Sequence, residues 1–167
     1  MVGVTALTAY SRYVRPMPEI TALHETVDIA APPERVWSLV TDLPRMASWS
    51  PQVVRTFVRG PVGLGTSALN LNRSGWKVWP TRSTVVRFEP HRDFAFRIRD
   101  NAVVWSYALE PVAGGTRVTH RREAPDGITA ISRRLQDAVL GGVERFSGEV
   151  HEGMRTTLRR LKAEAEG

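Results

Sequence analysis

His120 and Tyr107 are the side chains whose types and positions best suit proton transfer. Strand alternation places His120 on the same face as the apolar Val118, with Arg122 two residues further along. In the preceding strand, Tyr107 shares a face with Trp105. Histidine exchanges a proton near neutral pH and a tyrosine hydroxyl can donate one, so both residues are candidate catalytic acids or bases. The alternative is that both only contact a ligand or pack in the core.

A second polar group falls on the strands that come before these two. Asn70 and Asn72 share a face of one strand, and Trp79 and Thr81 share a face of the next. Pro80 lies between the latter two, and a proline inside a strand is typical of an edge or a bulge. We therefore expect a bend or a bulge near Pro80. A bulge would reverse the phase of the strand beyond it.

The phase of the strand that carries Asn70 decides which of its residues face outward. If Asn70 and Asn72 point inward, Leu69 and Leu71 are exposed and offer a contact for a partner protein or a second copy of the chain. If the phase is the opposite, the two leucines belong to the core. The first phase therefore predicts a homodimer or an interaction module.

Other catalytic chemistries lack the residues that they need. The sequence has no Gly-x-Ser-x-Gly elbow and no phosphate-binding loop. His151-Glu152 lacks the second histidine of a metal-binding helix, and the four histidines are far apart in sequence. The absence of cysteine excludes disulfides and thiol nucleophiles, and it fits a reducing cytoplasm. We therefore expect no metal, no cofactor and a cytoplasmic location.

The charge distribution argues against nucleic acid as a partner. The net charge is +6, from 23 basic and 17 acidic residues. The basic residues are scattered, and no basic recognition helix or aromatic stacking motif accompanies them. The sequence contains no run of about 18 apolar residues, which a membrane-spanning helix would need. Arginines on the last predicted helix could attract anionic lipid weakly, so we expect peripheral membrane contact at most.

The longest predicted element is a helix from Ile131 to Leu161. Its apolar residues recur at steps of three and four, which is the pattern of one amphipathic helix of roughly 45 Å. They are Ile131, Leu135, Val139, Val143, Phe146, Val150, Met154, Leu158 and Leu161. Four glycines interrupt the helix, at Gly141, Gly142, Gly148 and Gly153. Either the helix is kinked or tightly packed, or its small residues leave room for a ligand beneath it.

The elements before this helix are predicted to form an antiparallel sheet. A strand at residues 21–30 is followed by two short helices and about six more strands. Residues 1–20 are predicted to be a tail, or an arm on the surface or on a partner, and either Met1 or Met17 could be the native start. Residues 21–165 are predicted to form a single α+β domain.

These residues resemble those of the START-like superfamily of polyketide cyclases, dehydrases and lipid-transport proteins. The resemblance covers residues 21–165, where the motifs follow one another in the family's order. The motifs are Ile29 to Trp37 with Asp42, Trp49-Ser50-Pro51, Gly63-Leu64-Gly65-Thr66, the pair Trp79 and Thr81, Val85 to Pro90, Trp105 to Pro111, Gly114 to Thr119, and Gly153 to Lys162.

The resemblance implies the helix-grip fold, in which a curved antiparallel sheet of about seven strands surrounds a long C-terminal helix. An elongated hydrophobic cavity lies between the sheet and the helix in this fold. We therefore predict that the chain binds a hydrophobic small molecule, such as a lipid or a polyketide, as a carrier, sensor or sequestering protein. The alternatives are an enzyme of the polyketide aromatase/cyclase type and a protein-interaction module.

The predicted site combines the inward residues of the strands with the apolar stripe of the helix. In the cyclase alternative, His120, Tyr107 and Arg122 would hold and protonate an enolisable chain. The predicted ligand-binding residues are Trp37, Trp49, Asn70, Asn72, Trp79, Thr81, Phe96, Trp105, Tyr107, His120, Arg122, Phe146 and Val150.

Overall fold

The computed structural model describes residues 22–125 and 143–167, with the side chains of the second range described from Gly148 onward. The strands in these ranges are β1 (Leu23–Ile29), β2 (Val53–Val58), β3 (Ser67–Ser74), β4 (Lys77–Glu89), β5 (Asp93–Ile98), β6 (Val104–Val112) and β7 (Gly115–Glu123). The helices are α1 (Pro33–Val40), α2 (Met46–Trp49) and α3 (Val143–Glu166). A 3-10 turn at Leu43–Arg45 leads directly into α2.

The seven strands form one antiparallel sheet in the order β1-β7-β6-β5-β4-β3-β2. Strands β2 to β7 each pair with the strand next to them in sequence. Strand β1 instead pairs with β7, so the first and last strands are neighbours in the sheet. Helix α3 packs against β1, β7 and α2. The predicted α+β helix-grip fold is therefore confirmed, including the two short helices after the first strand.

Helix α1 begins where the sequence supplies a proline and an acidic residue. Pro33 occupies the first helical turn, which needs no backbone N–H donor there, and Glu34 lies at the positive end of the helix dipole. The apolar residues fall on one face and are buried in the core: Val36, Trp37, Leu39 and Val40. This packing holds α1 against the sheet.

Helix α3 buries the apolar stripe that the sequence predicts. Val150, Met154, Leu158 and Leu161 are all buried. The predicted helix start at residue 131 and the first two glycines lie outside the described residues. Within the described part, the stripe therefore faces the sheet as expected.

The C-terminal end of α3 lies beyond the predicted end, at Glu166 rather than Leu161. Carboxylates in the last turns bind groups outside the helix, which holds these turns in place. Glu164 accepts a hydrogen bond from the Trp49 indole at 2.7 Å, and Glu166 accepts one from the backbone N–H of Ala30 at 2.7 Å. Ala165 continues the stripe four residues after Leu161 and is buried, so the added turn makes an apolar contact as well as these polar ones.

The expected bulge at Pro80 is wrong. Strands β3 and β4 pair without a register shift from Ser67 opposite Thr84 to Ser74 opposite Lys77, and Pro80 lies opposite Leu71. Strand β5 pairs with β4 only from Ser83 onward, so one side of Pro80 faces no strand and its missing N–H breaks no ladder. The register shift of β4 lies instead between Val85 and Arg87.

Candidate functional site

A pocket lies between the inner face of the sheet and α3, beside the segment that joins α2 to β2. About 110 Å³ of it is accessible to the centres of water molecules. Its apolar lining residues are Met46, Pro51, Val53, Phe96, Ile98, Trp105, Val150 and Met154. Its other lining residues are Ser50, Gln52, Asn70, Asn72, Thr81, His120, Glu149, Gly153 and Thr157. The strands supply half of the apolar lining and the buried side chains of Asn70, Asn72 and His120, and α3 supplies the buried Thr157.

Asn70 is held rigidly by side chains of the two neighbouring strands. Its amide oxygen accepts a hydrogen bond from the Thr56 hydroxyl at 2.9 Å, and its amide nitrogen donates one to the Ser83 hydroxyl at 3.1 Å. All three residues are buried. Because a buried polar group is costly unless it is hydrogen-bonded, these cross-strand bonds explain how asparagine is tolerated on the inner face.

Asn72 presents an acceptor to the pocket. Its amide nitrogen donates to the Thr81 hydroxyl at 3.0 Å and to the Trp79 carbonyl oxygen at 3.3 Å. Both N–H groups of the amide are thereby used, so the Oδ1 oxygen is the atom of Asn72 that can serve a ligand. Asn72 is only 9% exposed, whereas Leu69, on the opposite face of β3, is 43% exposed. The phase that directs the asparagines inward is therefore the observed one.

His120 lies at the polar floor of the pocket, flanked by two aromatic rings. Its ring centroid is 4.3 Å from that of Tyr107, with the planes nearly parallel, and 5.3 Å from that of Trp105. The Nδ1 atom lies 3.0 Å from the carbonyl oxygen of Ser106. A carbonyl oxygen only accepts, so Nδ1 carries the proton in this bond. In the neutral ring, Nε2 is then an acceptor.

Burial keeps the side chains of His120 and Tyr107 in their uncharged forms. Loss of hydration lowers the pKa of His120 to about 4, against a smaller opposing effect of the Ser106 carbonyl. Loss of hydration also raises the pKa of Tyr107 well above its ordinary value. At neutral pH both side chains are therefore uncharged, so they can exchange hydrogen bonds with a ligand but do not offer it a charge.

Arg122 is close to this group without lining the pocket. It is 5% exposed, and burial lowers the pKa of its guanidinium. Its guanidinium carbon lies 5.9 Å from the centre of the Trp105 ring, and Trp105 itself lines the pocket. A cation at this distance interacts favourably with the ring face, so Arg122 supports the position of Trp105.

Seven of the predicted ligand-binding residues come together around the pocket, and five others with described side chains do not line it. The residues that line it are Asn70, Asn72, Thr81, Phe96, Trp105, His120 and Val150. Tyr107 is buried behind His120. The predicted side chain of Phe146 lies outside the described side chains. Ligand binding by each of these residues stays a prediction.

The three remaining predicted tryptophans lie away from the pocket for separate reasons. Trp37 packs in the core, with its ring centroid 5.1 Å from that of Phe88. Trp49 is buried and its indole is bonded to Glu164. Trp79 shares the inner face with Asn72 but is 36% exposed, because it lies beyond the end of β5.

Several lining residues were missed by the sequence analysis. Pro51 and Gln52 belong to a connection with no periodicity, so only its position after α2 could have indicated them, and Val53 is the first residue of β2. Gly153 and Thr157 lie beside the apolar stripe of α3, and a search for stripe residues alone passes over them. The sequence analysis did name Gly153 among the small residues that could leave room for a ligand beneath the helix. A Cβ atom at Gly153 would stand 3.7 Å from Pro51 Cγ, inside the lining of the pocket.

A second depression lies at the end of β1 and the β6–β7 turn, and it is a weaker candidate. About 490 Å³ of it is accessible to the centres of water molecules, but it is open at the surface. Its charged side chains are already paired. Arg117 binds Asp28 at 2.8 and 2.9 Å, and Lys162 binds Glu166 at 2.7 Å.

Two further observations concern the described residues alone. They contain no group of three or more histidine, cysteine, aspartate or glutamate side chains placed to hold a metal ion. None of the described helices is both long and apolar enough to cross a bilayer. The expectation that the protein uses no metal and no cofactor stays a prediction.

A sheet closed by a C-terminal helix, with a partly polar pocket between them, defines a START-like helix-grip protein. The sequence pattern of the polyketide cyclase / dehydrase and lipid transport family matches residues 21–166. The chain therefore belongs to this family, which confirms the predicted superfamily. Membership supports a role in hydrophobic ligand binding or polyketide cyclase-type chemistry. A search of curated protein sequences gives no match.

Several solved structures share this fold, and one of them is a di-domain protein. The solution structure of the polyketide-cyclase-like protein Cgl2372 from Corynebacterium glutamicum is 27% identical, with a TM-score of 0.57, over 90% of this chain and 91% of that one. Protein NE0264 from Nitrosomonas europaea is 17% identical, with a TM-score of 0.64, over 88% and 95% of the two chains. The di-domain ARO/CYC protein BexL from the BE-7585A biosynthetic pathway is 18% identical, with a TM-score of 0.69, over 88% of this chain and 50% of BexL. The last two similarities show the fold alone.

Proposed function

We propose that this protein binds an uncharged, largely apolar small molecule that carries a hydroxyl group, and acts as a carrier, sensor or sequestering protein. The observation that supports this proposal is the pairing of an apolar roof with two neutral hydrogen-bond acceptors. Val150 and Met154 belong to the roof, and the acceptors are His120 Nε2 and Asn72 Oδ1. A hydroxyl donor on an apolar skeleton would satisfy both halves of the site.

The protonation state of the floor favours an uncharged ligand. His120 remains neutral at pH 7, so it supplies no positive charge to a carboxylate. A charged group buried without a partner loses more hydration free energy than its contacts recover. A free fatty acid is therefore a poorer candidate than a neutral alcohol or phenol.

The same protonation state supports binding over proton transfer. A histidine with a pKa of about 4 is a weak base at neutral pH, and a tyrosine with a raised pKa is a weak acid. The polyketide aromatase/cyclase alternative remains the second candidate. It is favoured by the position of His120, which lines the pocket while its ring stacks on Tyr107, so its imidazole could hydrogen-bond an enolisable chain.

The first test compares two probes that differ by one hydroxyl. We expect 1-naphthol to bind about fivefold more tightly than naphthalene, because one neutral hydrogen bond contributes about 1 kcal/mol. In His120→Phe the preference should become smaller, because Asn72 Oδ1 is then the remaining acceptor, while naphthalene affinity persists. Fluorescence titration measures both affinities, and native mass spectrometry of the purified protein shows whether a small molecule co-purifies. Equal affinities of the unaltered protein for both probes would contradict the proposed hydroxyl recognition.

Two glycine substitutions on α3 locate the binding site. Gly153→Leu places a side chain inside the pocket lining, so we expect the affinity for 1-naphthol to fall at least about 100-fold. Gly148→Leu makes the same chemical change at an exposed position, where an added Cβ would meet nothing within 4 Å, and should leave binding unchanged. If both variants bind like the unaltered protein, the ligand does not occupy this pocket.

The cyclase alternative makes a different prediction for His120→Phe. A cyclase would lose turnover of a linear poly-β-ketone thioester while it still binds the substrate. A carrier would show no turnover before or after the substitution. Product analysis by liquid chromatography and mass spectrometry separates the two, and turnover that depends on His120 would replace the carrier proposal.

A further inference from the structure

The hairpin between β3 and β4 extends beyond its neighbour β5 and ends in exposed apolar side chains. We name residues 73–79 the hairpin tip. Trp76 is 86% exposed, Val78 is 56% exposed and Trp79 is 36% exposed. Strand β5 pairs with β4 only from Ser83 onward, so this part of the hairpin has no strand on that side. Two indoles and a valine exposed together at a projecting turn indicate a surface that meets another phase or molecule.

All the charged residues in the chain around the hairpin tip are basic. Residues 43–88 contain no aspartate and no glutamate, but they contain Arg45, Arg55, Arg59, Arg73, Lys77, Arg82 and Arg87. Two of these bind acidic residues elsewhere, since Arg45 pairs with Glu164 and Arg87 pairs with Asp93. The β2–β3–β4 half of the sheet therefore carries a positive field at its exposed end.

The positive charges of the tip lie next to its indoles. The Lys77 ammonium is 5.8 Å from the centre of the Trp76 ring. The Arg73 side chain donates to the carbonyl oxygen of Gly75 at 2.9 Å, which holds its guanidinium over the turn. Indoles prefer the boundary between water and hydrocarbon, and lysine and arginine extend from such a boundary to the headgroups.

We propose that the hairpin tip docks the protein on the surface of an anionic lipid bilayer. Trp76, Val78 and Trp79 enter the interfacial layer, and Arg73 and Lys77 contact the lipid phosphates. A bilayer requires no shape complementarity, which suits a narrow tip better than a protein partner does. A nucleic acid would pair with the charges but would leave Val78 exposed to water. The bilayer therefore accounts for both the apolar and the basic residues.

Docking would also bring the pocket close to the bilayer. Asn72 and Thr81 line the pocket, and Asn72 lies directly opposite Trp79 in the hairpin. Asn72 is two residues from the end of β3, or roughly 7 Å of strand, and Trp76 lies in the turn that follows. A ligand could then pass between bilayer and pocket over a short path. This consequence rests on the proposed function, whereas docking itself does not.

The experiment is sedimentation of the full-length protein with vesicles of two compositions. One is pure phosphatidylcholine, and the other contains about 30% phosphatidylglycerol. We expect binding to the anionic vesicles, at least about tenfold weaker binding to the neutral ones, and weakening at high salt because charges are screened. Trp76→Ala and Lys77→Glu should each reduce the affinity for anionic vesicles at least about fivefold.

Two matched variants serve as controls. Leu64→Ala removes another exposed apolar side chain, 72% exposed, in the turn at the opposite end of β3. Arg160→Glu reverses an exposed charge on α3. Both should bind anionic vesicles within about twofold of the unaltered protein. Unchanged affinity of Trp76→Ala, or equal losses in the controls, would overturn the proposal. So would vesicle binding that is absent while an oligonucleotide binds tightly.

Discussion

His120 shows how a residue that suits catalysis in isolation is given another role by its surroundings. Its Nδ1 proton is committed to the Ser106 carbonyl oxygen, and its ring is enclosed by Tyr107 and Trp105. Stacking on both aromatic rings fixes the ring plane, which aims Nε2 in one direction. The same burial that fixes this geometry lowers the pKa of the imidazole and keeps it neutral. The residue is thereby suited to recognising a donor.

The low pKa of His120 predicts a pH dependence of stability. The folded pKa of about 4 lies below the ordinary value of 6.5, so the unfolded chain binds this proton more tightly than the native protein does. Stability should therefore fall as the pH drops from about 6.5 to about 4, by about 3 kcal/mol from this residue. Above pH 7 the contribution should be constant.

Urea denaturation at pH 7.5, 5.5 and 4.5 measures this effect. Because carboxylates also titrate in acid, the comparison is with His120→Phe, which retains an aromatic ring but cannot titrate. The variant should lose less stability between pH 7.5 and 4.5 than the unaltered protein does. Parallel pH profiles for the two proteins would show that His120 is not the buried neutral group described above.

At the scale of elements, β1 and β7 approach more closely than any side chain at Gly115 would permit. A Cβ atom at Gly115 would stand 2.0 Å from the carbonyl oxygen of Ile29. We expect Gly115→Ala to destabilise the protein by about 2 kcal/mol or more, because the backbone of β1 must move to relieve the overlap. The variant Gly63→Ala is the control, since an added Cβ there meets nothing within 4 Å.

Thermal denaturation of the two variants checks this prediction. For a domain of this size the Gly115→Ala melting temperature should drop by several degrees, about 3 °C per kcal/mol, while Gly63→Ala melts within a degree or two of the unaltered protein. A Gly115→Ala variant that melts with the unaltered protein would mean that the edge strand adjusts freely. The closure of β1 on β7 would then not be a tight constraint.

The elements themselves were largely predictable, and their register was not. Alternation placed Asn70 and Asn72 on the same face of their strand, because the period of a strand is local information, but it left open whether that face is the inner one. The unbulged pairing at Pro80 depended on where β5 ends, which no local pattern encodes. The same limit applies to Trp49. Its indole bonds to Glu164, a contact between residues 115 positions apart that no local pattern indicates.

At the scale of the whole molecule, one apolar area on the outer face of the sheet has no explanation in the pocket or the hairpin tip. Phe57 and Leu69 lie opposite one another on β2 and β3 and are 49% and 43% exposed. Arg55 lies over the Phe57 ring at 5.0 Å. Substitutions in this area test both the interaction-module alternative and the predicted homodimer.

Sedimentation velocity over a range of concentrations measures the self-association. If the area forms a dimer, Leu69→Asp combined with Leu71→Asp should leave a monomer at every concentration, because a buried carboxylate opposes association. Leu64→Asp, at the exposed turn, should leave the association constant unchanged. A protein that is monomeric at every concentration before any substitution would exclude the homodimer.

Some predictions about the whole molecule stay predictions. The arm at residues 1–20 and the helix start at residue 131 lie outside the described residues. The single-domain boundary at residues 21–165, the cytoplasmic location and the lack of a nucleic-acid partner are expectations from composition and resemblance. Composition bounds such properties without fixing them, because they depend on partners and compartments rather than on the chain's own packing.

The apolar and glycine residues of α3 bound the volume of the pocket without supplying either of the two proposed acceptors. Val150, Gly153 and Met154 lie on the helix, whereas Asn72 and His120 lie on the sheet. A change on the helix can therefore alter how large a guest is admitted without altering which functional group is recognised. Selectivity could diverge among descendants of this chain along two independent routes, and neither would require the sheet to be rebuilt.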